Sequence, residues 1–123
     1  MSRVVHFEIN SAQPEKAAEW YEEVFGWTIQ KRWTGEQDYW LIRTGMSDTA
    51  GINGGIKEKT TPSAAMVPQI EVDSVDTASE RIAATGGKLL SPKITIPQTG
   101  YLMYCQDPEG IPFSIIQKDS TTK

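Results

Sequence analysis

Apolar and polar residues alternate in the first strand-like segment of the chain, "VVHFEI". Val5, Phe7 and Ile9 fall on one face of an extended strand and His6 and Glu8 on the other, because successive strand side chains point to opposite faces. We expect the apolar face to pack against helices. The polar face then carries the only histidine of the chain.

The pattern changes to a helical period in the next segment, "PEKAAEWYEEVFG". Pro14 suits the first helical turn, and Gly26 suits the position just past the end. Apolar residues recur every three or four positions and predict one buried stripe, consisting of Ala17, Tyr21, Val24 and Phe25. Three strand-like segments follow, "WTIQKRW", "DYWLIRT" and the glycine-rich "GINGGI".

The same order of elements recurs in the second half. "VPQIEV" predicts a strand, and "DSVDTASERIAATGG" predicts a helix that Asp73 or Ser74 caps and Gly86 ends. Strands are predicted at "KLLSPKITI", "GYLMYCQ" and "GIPFSIIQ", and Pro92 and Pro97 make the first of these an edge strand or a bulge. The last residues, "KDSTTK", are expected to fray.

The two halves also align with each other at weak identity. This alignment pairs His6 with Gln69, Glu8 with Glu71, and Gly55 with Ser114. Internal similarity of this kind indicates a duplicated unit. We therefore predict a single domain with an α+β fold of two tandem βαβββ modules, module one at about 1–57 and module two at about 67–118, joined by a linker at about 58–66.

Composition and charge narrow the classes of partner. The chain has 123 residues, a net charge of -4 and no segment dense in Lys or Arg, which argues against nucleic acid as a partner. No run of 18 apolar residues occurs, so we expect no membrane span. The single cysteine, Cys105, cannot form an internal disulfide, so we expect a reducing cytoplasm and a buried structural thiol.

Two βαβββ units with a histidine in the first strand resemble the vicinal oxygen chelate superfamily, which holds glyoxalase I, extradiol dioxygenases and the bleomycin-resistance proteins. The similar segments are "VVHFEINSAQPEKAAEWYEEVFGW", "IEVDSVDTASERIAATGGK" and "DPEGIPFSIIQ". The resemblance implies a curved, cup-like mixed sheet with the helices outside and a small-molecule ligand in the cup. It also implies a homodimer.

The family pattern implies four ligands to a divalent metal cofactor, one in the first and one in the last strand of each module. These positions map to His6, Gly55, about Gln69, and Ser114. Glycine has no ligating side chain, and a serine hydroxyl is a poor ligand for zinc, nickel or iron. Since Gly55 and Ser114 replace the expected carboxylates, we predict an incomplete metal site in which only His6, with Gln69 at best, remains as a ligand.

Three interpretations of the polar strand faces stay open: a structural hydrogen-bond network, a ligand-binding surface, or metal binding by His6. The residues that we predict to bind a ligand are His6, Glu8, Gln69, Glu71, Trp40 and Ser114. No catalytic residue is assigned. His6 and Glu8 lie about 7 Å apart along one strand, so acid–base chemistry would need another partner, such as Glu71.

Two further patterns bear on this surface. Tyr39 and Trp40 are adjacent and must lie on opposite faces of their strand, so only one of them can reach the cup. The glycines of "GINGGI" indicate close backbone approach or a bulge. Gly55 either enlarges the cup where the family has a carboxylate or permits tight packing.

The leading functional hypothesis is a glyoxalase/bleomycin-resistance-like protein that binds a planar or cationic small molecule without a complete metal site. The first alternative is a metal-dependent lyase, isomerase or dioxygenase that uses His6. The second is a non-catalytic scaffold or partner-binding domain. Whether the protein is an enzyme stays open at this point.

Overall fold

A computed structural model describes residues 2–35, 37–59 and 64–123. By contacts between residues, the chain divides into two compact units, His6–Val67 and Pro68–Lys123, the second of which also takes in the start of the chain up to Val5.

The first unit consists of a helix and four strands. Its elements are β1 (Arg3–Ser11), α1 (Pro14–Phe25), β2 (Thr28–Trp33), β3 (Asp38–Arg43) and β4 (Asn53–Glu58). The strands lie in the order β2-β3-β4-β1. β1 runs parallel to β4, whereas β2, β3 and β4 pair antiparallel. The parallel pair is possible because α1 and two strands return the chain between β1 and β4.

Helix α1 covers the apolar side of this sheet. Pro14 starts the helix, and Gly26 ends it in the left-handed conformation with φ 71°, which glycine adopts without a Cβ clash. The core contains Ala18 of α1 and apolar residues of three strands, namely Ile9, Trp40, Ile42 and Ile56, with Phe7 packed against them. The predicted apolar face of β1 is therefore confirmed.

The predicted buried stripe of α1 is wrong at its C-terminal end. Val24 is 50% and Phe25 is 56% exposed, and Ala18 is the buried residue of this helix. The aromatic side chains there pack against one another, and of these Tyr21 and Trp27 also pack against the core. Phe25 stacks on Trp27 with ring centroids 5.3 Å apart, and Tyr21 stacks on Trp27 at 5.1 Å.

The second unit repeats the order strand, helix, strands. Its elements are β5 (Met66–Glu71), α2 (Val75–Ala84), β6 (Lys88–Leu89), β7 (Ile94–Ile96), β8 (Gly100–Gln106) and β9 (Pro112–Lys118). The strands lie in the order β5-β9-β8-β6, and β7 also pairs with β8. β5 is parallel to β9, and the other pairs are antiparallel.

The strand predicted at "KLLSPKITI" is divided into β6 and β7. Pro92 lies in the gap, where it has no N–H to donate to a ladder. The Ser91 hydroxyl instead accepts a hydrogen bond from the Tyr104 backbone N–H at 2.9 Å. A side-chain acceptor thus replaces a backbone acceptor at the break.

Helix α2 packs on the apolar side of the second sheet, as predicted. The Ser74 hydroxyl accepts from the Thr77 N–H at 3.1 Å and caps the helix, so of the two predicted caps Ser74 is the one used. The core residues are Val75, Met103, Cys105 and Ile115. Cys105 is fully buried, and burial raises the pKa of its thiol, as expected for a structural cysteine.

The C-terminal segment does not fray, contrary to expectation. The Thr122 hydroxyl donates to the Ile96 carbonyl at 2.8 Å, and the Gln98 N–H donates to the Thr122 carbonyl at 3.0 Å. These bonds bury Thr122 to 7% exposure. The segment is held because its backbone finds partners next to β7.

The predicted fold class is confirmed: the chain is α+β, with two modules that each form a mixed sheet. Both follow the predicted βαβββ order when β6 and β7 are counted together as the one predicted strand. Part of the predicted linker, residues 60–63, lies outside the described residues. Within the described ranges, no helix is long and apolar enough to cross a membrane.

Candidate functional site

The side of the first sheet opposite α1 carries the polar residues of β1, and we call it the polar face. It is defined by His6 and Glu8 of β1, Tyr39 of β3, and Gly55 and Lys57 of β4. These residues alternate along their strands with core residues, and Glu8 lies beside Gly55 in the β1–β4 register. Alternation and register therefore place them on one surface.

A histidine–tyrosine pair is the centre of the polar face. The His6 Nε2 atom and the Tyr39 hydroxyl are 3.2 Å apart, within hydrogen-bond distance. The tautomer of the imidazole decides which group donates. The pair is partly buried and joins two strands that β4 separates.

Gly55 makes this pairing possible. A Cβ built on Gly55 would overlap the hydroxyl end of the Tyr39 ring. The phenol therefore lies directly over the glycine and reaches across β4 towards His6. We predicted that Gly55 either enlarges the cup or permits tight packing. The structure shows tight packing, because Tyr39 fills the space above Gly55.

Glu8 is paired with a lysine on the same face. The Lys57 Nζ atom lies 3.3 Å from the Glu8 carboxylate, and both side chains are mostly buried. Partial removal from water strengthens the attraction between such charges. The negative charge of Glu8 is thus compensated within the first module.

The outer strands add two arginines to the polar face. Arg32 of β2 lies opposite Tyr39 in the antiparallel register. Leu41 of β3 lies opposite Gly55, and Arg43 follows two residues later on the same side of its strand. Both arginines are exposed.

Trp40, which was predicted to bind a ligand together with His6, lies on the other side of the sheet. It is 8% exposed and belongs to the core, because its neighbour Tyr39 takes the polar face. Its ring borders a groove of about 460 Å³ on the helix side of the sheet, which Glu15 and Asp38 also line. Lys31 lies 3.0 Å from Glu15, 3.5 Å from Asp38 and 5.2 Å from the Trp40 ring centroid. Its single charge offsets only part of the charge of the three carboxylates, since Glu58 also lines the groove.

The corresponding positions of the second module have a different arrangement. Gln69 of β5 and Ser114 of β9 are direct register partners. Ser114 is 3% exposed and lies opposite Tyr104 of β8. Glu71 has a lysine nearby, with the Lys118 Nζ atom at 3.8 Å.

The four positions that map to the family's metal ligands carry no carboxylate. His6 offers an imidazole that bonds Tyr39, and Gly55 offers no side chain. Gln69 and Ser114 offer an amide and a hydroxyl. Over residues 2–35, 37–59 and 64–123, no three His, Cys, Asp or Glu side chains are grouped so as to hold a metal ion.

Sequence reasoning missed Tyr39 as the partner of His6. The available signal was a glycine on one strand and a tyrosine on the neighbouring strand, since a missing side chain leaves room for a large one across the ladder. The antiparallel register of β3 and β4, which the sequence does not state, is needed to bring the two together.

Comparison with known proteins identifies relatives of this chain. The profile of the Glyoxalase/Bleomycin resistance protein/Dioxygenase superfamily matches residues 3–115. CFP32 of Mycobacterium tuberculosis and of Mycobacterium bovis, whose name proposes a glyoxylase, is 28% identical over 116 residues. That match covers 89% of this chain but only 42% of the length of these relatives.

Solved structures share the fold at low identity. A hypothetical protein from Bacillus halodurans superposes with a TM-score of 0.73 at 8% identity, covering 99% of this chain and 98% of that one. Methylmalonyl-CoA epimerase from Mycobacterium tuberculosis gives 0.69 at 13% identity, covering 94% and 87%. The Streptomyces coelicolor epimerase in complex with 2-nitronate-propionyl-CoA gives 0.68 at 15%, covering 98% and 97%.

Proposed function

The chain belongs to the Glyoxalase/Bleomycin resistance protein/Dioxygenase superfamily, and from this premise we propose that it is a small-molecule-binding member that lacks the family's complete metal centre. Its binding surface is the polar face of the first module. The observation that carries the proposal is the position of the Tyr39 hydroxyl, over Gly55 and 3.2 Å from His6 Nε2.

This arrangement does not fit a divalent ion of the family type. The position mapped to the second ligand has no side chain, and a phenol fills the space above it. One imidazole and one phenol are two donors, whereas zinc sites use three or four protein ligands.

The histidine–tyrosine pair suits hydrogen bonding to a ligand. The phenol can donate or accept, and the imidazole carries one donor and one acceptor when neutral. Binding sites for small molecules commonly combine apolar contacts with a few fixed polar groups of this kind. Leu41, 37% exposed, supplies an apolar contact next to the pair.

The proposal is tested by a ligand screen with matched variants. The wild-type protein, Tyr39→Phe and Tyr104→Phe are screened by thermal shift against metabolites, with methylmalonyl-CoA and propionyl-CoA included because fold neighbours bind CoA derivatives. A ligand at about 100 times its Kd stabilises the folded state by about 2.7 kcal/mol. We expect hits that Tyr39→Phe weakens and Tyr104→Phe retains.

Two results would count against this function. If no compound shifts the wild-type transition, the scaffold alternative is favoured. If the protein purified without chelator contains stoichiometric Ni, Zn, Mn or Fe that His6→Ala removes, the metal-dependent lyase, isomerase or dioxygenase is favoured. A homodimer and a cytoplasmic location stay predictions, and sedimentation tests the first of them.

A further inference from the structure

We infer that the ligand of the polar face is a small organic anion whose carboxylate or phosphate group is held by Arg32 and Arg43. This inference rests on the proposed function and adds the chemical class of the ligand. The inferred charge of the ligand is opposite to that of the cationic ligand that the acidic composition suggested.

The charges on the polar face favour an anion. By strand alternation, its charged side chains are Arg32, Arg43, Lys57 and Glu8. Since Lys57 lies 3.3 Å from the Glu8 carboxylate, that pair is close to neutral and two guanidinium groups are left. The chain as a whole has a net charge of -4, so this face differs in sign from the rest of the protein.

The two arginines lie on either side of the glycine. Leu41 is opposite Gly55, and the two residues on its side of β3 are Tyr39 and Arg43, each about 7 Å away along the strand. Arg32 is opposite Tyr39. An anionic group above Gly55 and Leu41 would therefore lie between the two arginines, where both guanidinium groups can reach it on their long side chains, with the His6–Tyr39 pair beside it.

The chemistry of arginine fits this role. A guanidinium presents a planar set of donors that matches carboxylate and phosphate oxygens. Arg32 now donates to the amide oxygen of Gln30 at 3.0 Å, a neutral acceptor on the surface. An anionic oxygen is a stronger acceptor for the same donor. A cationic ligand, in contrast, would have to displace Lys57 from Glu8.

Calorimetric titration with probes of matched shape tests the charge. Phenylacetate and phenyl phosphate carry the anion, and phenylacetamide is the neutral counterpart of the first. We expect the anions to bind more tightly than the amide, and the difference to shrink at high salt because screening weakens exposed charges. The stronger of the two anions identifies the preferred group.

Charge-removing variants assign the effect to residues. Arg32→Gln and Arg43→Gln should each weaken anion binding roughly three- to tenfold, as expected for partly exposed charged hydrogen bonds. Lys16→Gln, which removes an exposed cation from α1 on the other side of the sheet, is the matched control and should change the Kd less than twofold. Thermal unfolding checks that each variant is folded.

The possible failures are distinguishable. If the amide binds as tightly as the acid and neither arginine matters, the anion is excluded, while loss of binding in Tyr39→Phe still supports the proposed function. Binding of phenethylamine in preference to phenylacetate would have the same meaning. If no probe of any charge binds, the inference is overturned, and the metabolite screen decides the proposed function on its own.

Discussion

The two modules share an order of elements but differ on the face of the sheet that lies away from the helix. In module one this face carries the His6–Tyr39 pair, two exposed arginines and a neutralised glutamate. In module two the same face carries two buried apolar residues, Leu102 at 8% and Ile116 at 4% exposure, besides Ser114 at 3%, whereas the buried Glu8 of module one, at 9%, is charged. The two modules thus share the order of their elements, and the polar surface that we propose as the binding site lies on the first module alone.

The difference arises at single positions in equivalent strands. Gly55 is opposite Leu41, whereas its counterpart Ser114 is opposite Tyr104. The glycine admits a ring from a neighbouring position of β3, and the serine has a side chain of its own there. One glycine therefore decides whether a phenol can reach across the ladder.

The largest expected effect is a loss of stability that should be the same in both modules, because each module has a buried core of its own. Ile56→Ala in module one and Ile115→Ala in module two should each lower the free energy of unfolding by about 2–5 kcal/mol, since both side chains are buried and a cavity would remain. Urea denaturation measures this. A cost below about 1 kcal/mol for either would contradict the separate cores.

The next prediction concerns the glycine. Gly55→Ala should lower the free energy of unfolding by about 1–3 kcal/mol, because the new methyl group overlaps Tyr39 and forces the ring to move. Ser114→Ala in module two should cost less, within about 1 kcal/mol.

The double variant Tyr39→Ala/Gly55→Ala identifies the cause. If Tyr39 is the obstacle, adding Gly55→Ala to Tyr39→Ala should cost much less than adding it to the wild-type protein. Equal costs in the two backgrounds would mean that the glycine is required for the backbone rather than for the phenol.

A smaller effect measures the bond between His6 and Tyr39. Tyr39→Phe removes only the hydroxyl and should cost about 0.5–1.5 kcal/mol of stability. A double-mutant cycle with His6→Ala should give a coupling energy of similar size. Additivity of the two changes would show that the 3.2 Å contact contributes nothing to stability.

The smallest effect is a pH dependence located in module two. Burial raises the pKa of the Cys105 thiol in the folded protein, so the folded state favours the neutral form. This contribution is complete below the unfolded thiol pKa of about 8.5 and is lost as the pH rises through the folded value. The free energy of unfolding of the wild-type protein should therefore begin to decline above a pH of about 8.5, the unfolded thiol pKa, relative to that of Cys105→Ala. Parallel curves of unfolding free energy against pH for the two proteins would contradict this prediction.

The sequence predicted the repeated features of the molecule and missed the features that depend on register. Alternation located the apolar face of β1, and capping residues located both helices, because these signals are local. The His6–Tyr39 contact joins residues 33 positions apart and depends on how β3 and β4 pair. The Thr122–Ile96 bond, which holds the C-terminal segment, joins residues 26 positions apart and has no local signal either.

The predicted ligand-binding residues show the same limit. Alternation placed His6 and Glu8 on one face, but the salt bridge with Lys57 depends on the pairing of β1 with β4. Adjacent Tyr39 and Trp40 must lie on opposite faces, but the sequence does not say which of them reaches the polar face, whereas the structure assigns the faces by the phase of β3. A one-residue change of phase exchanges every side chain between the faces of a strand.

Ligand binding after metal removal tests the central claim most directly, that the polar face binds its ligand without a metal. The protein is treated with a chelator, dialysed, and titrated with the strongest ligand of the screen, with and without one equivalent of Zn²⁺ or Ni²⁺. The account predicts the same Kd in both titrations and a weaker Kd for Tyr39→Phe. Binding that disappears with the metal and returns with one equivalent would contradict it.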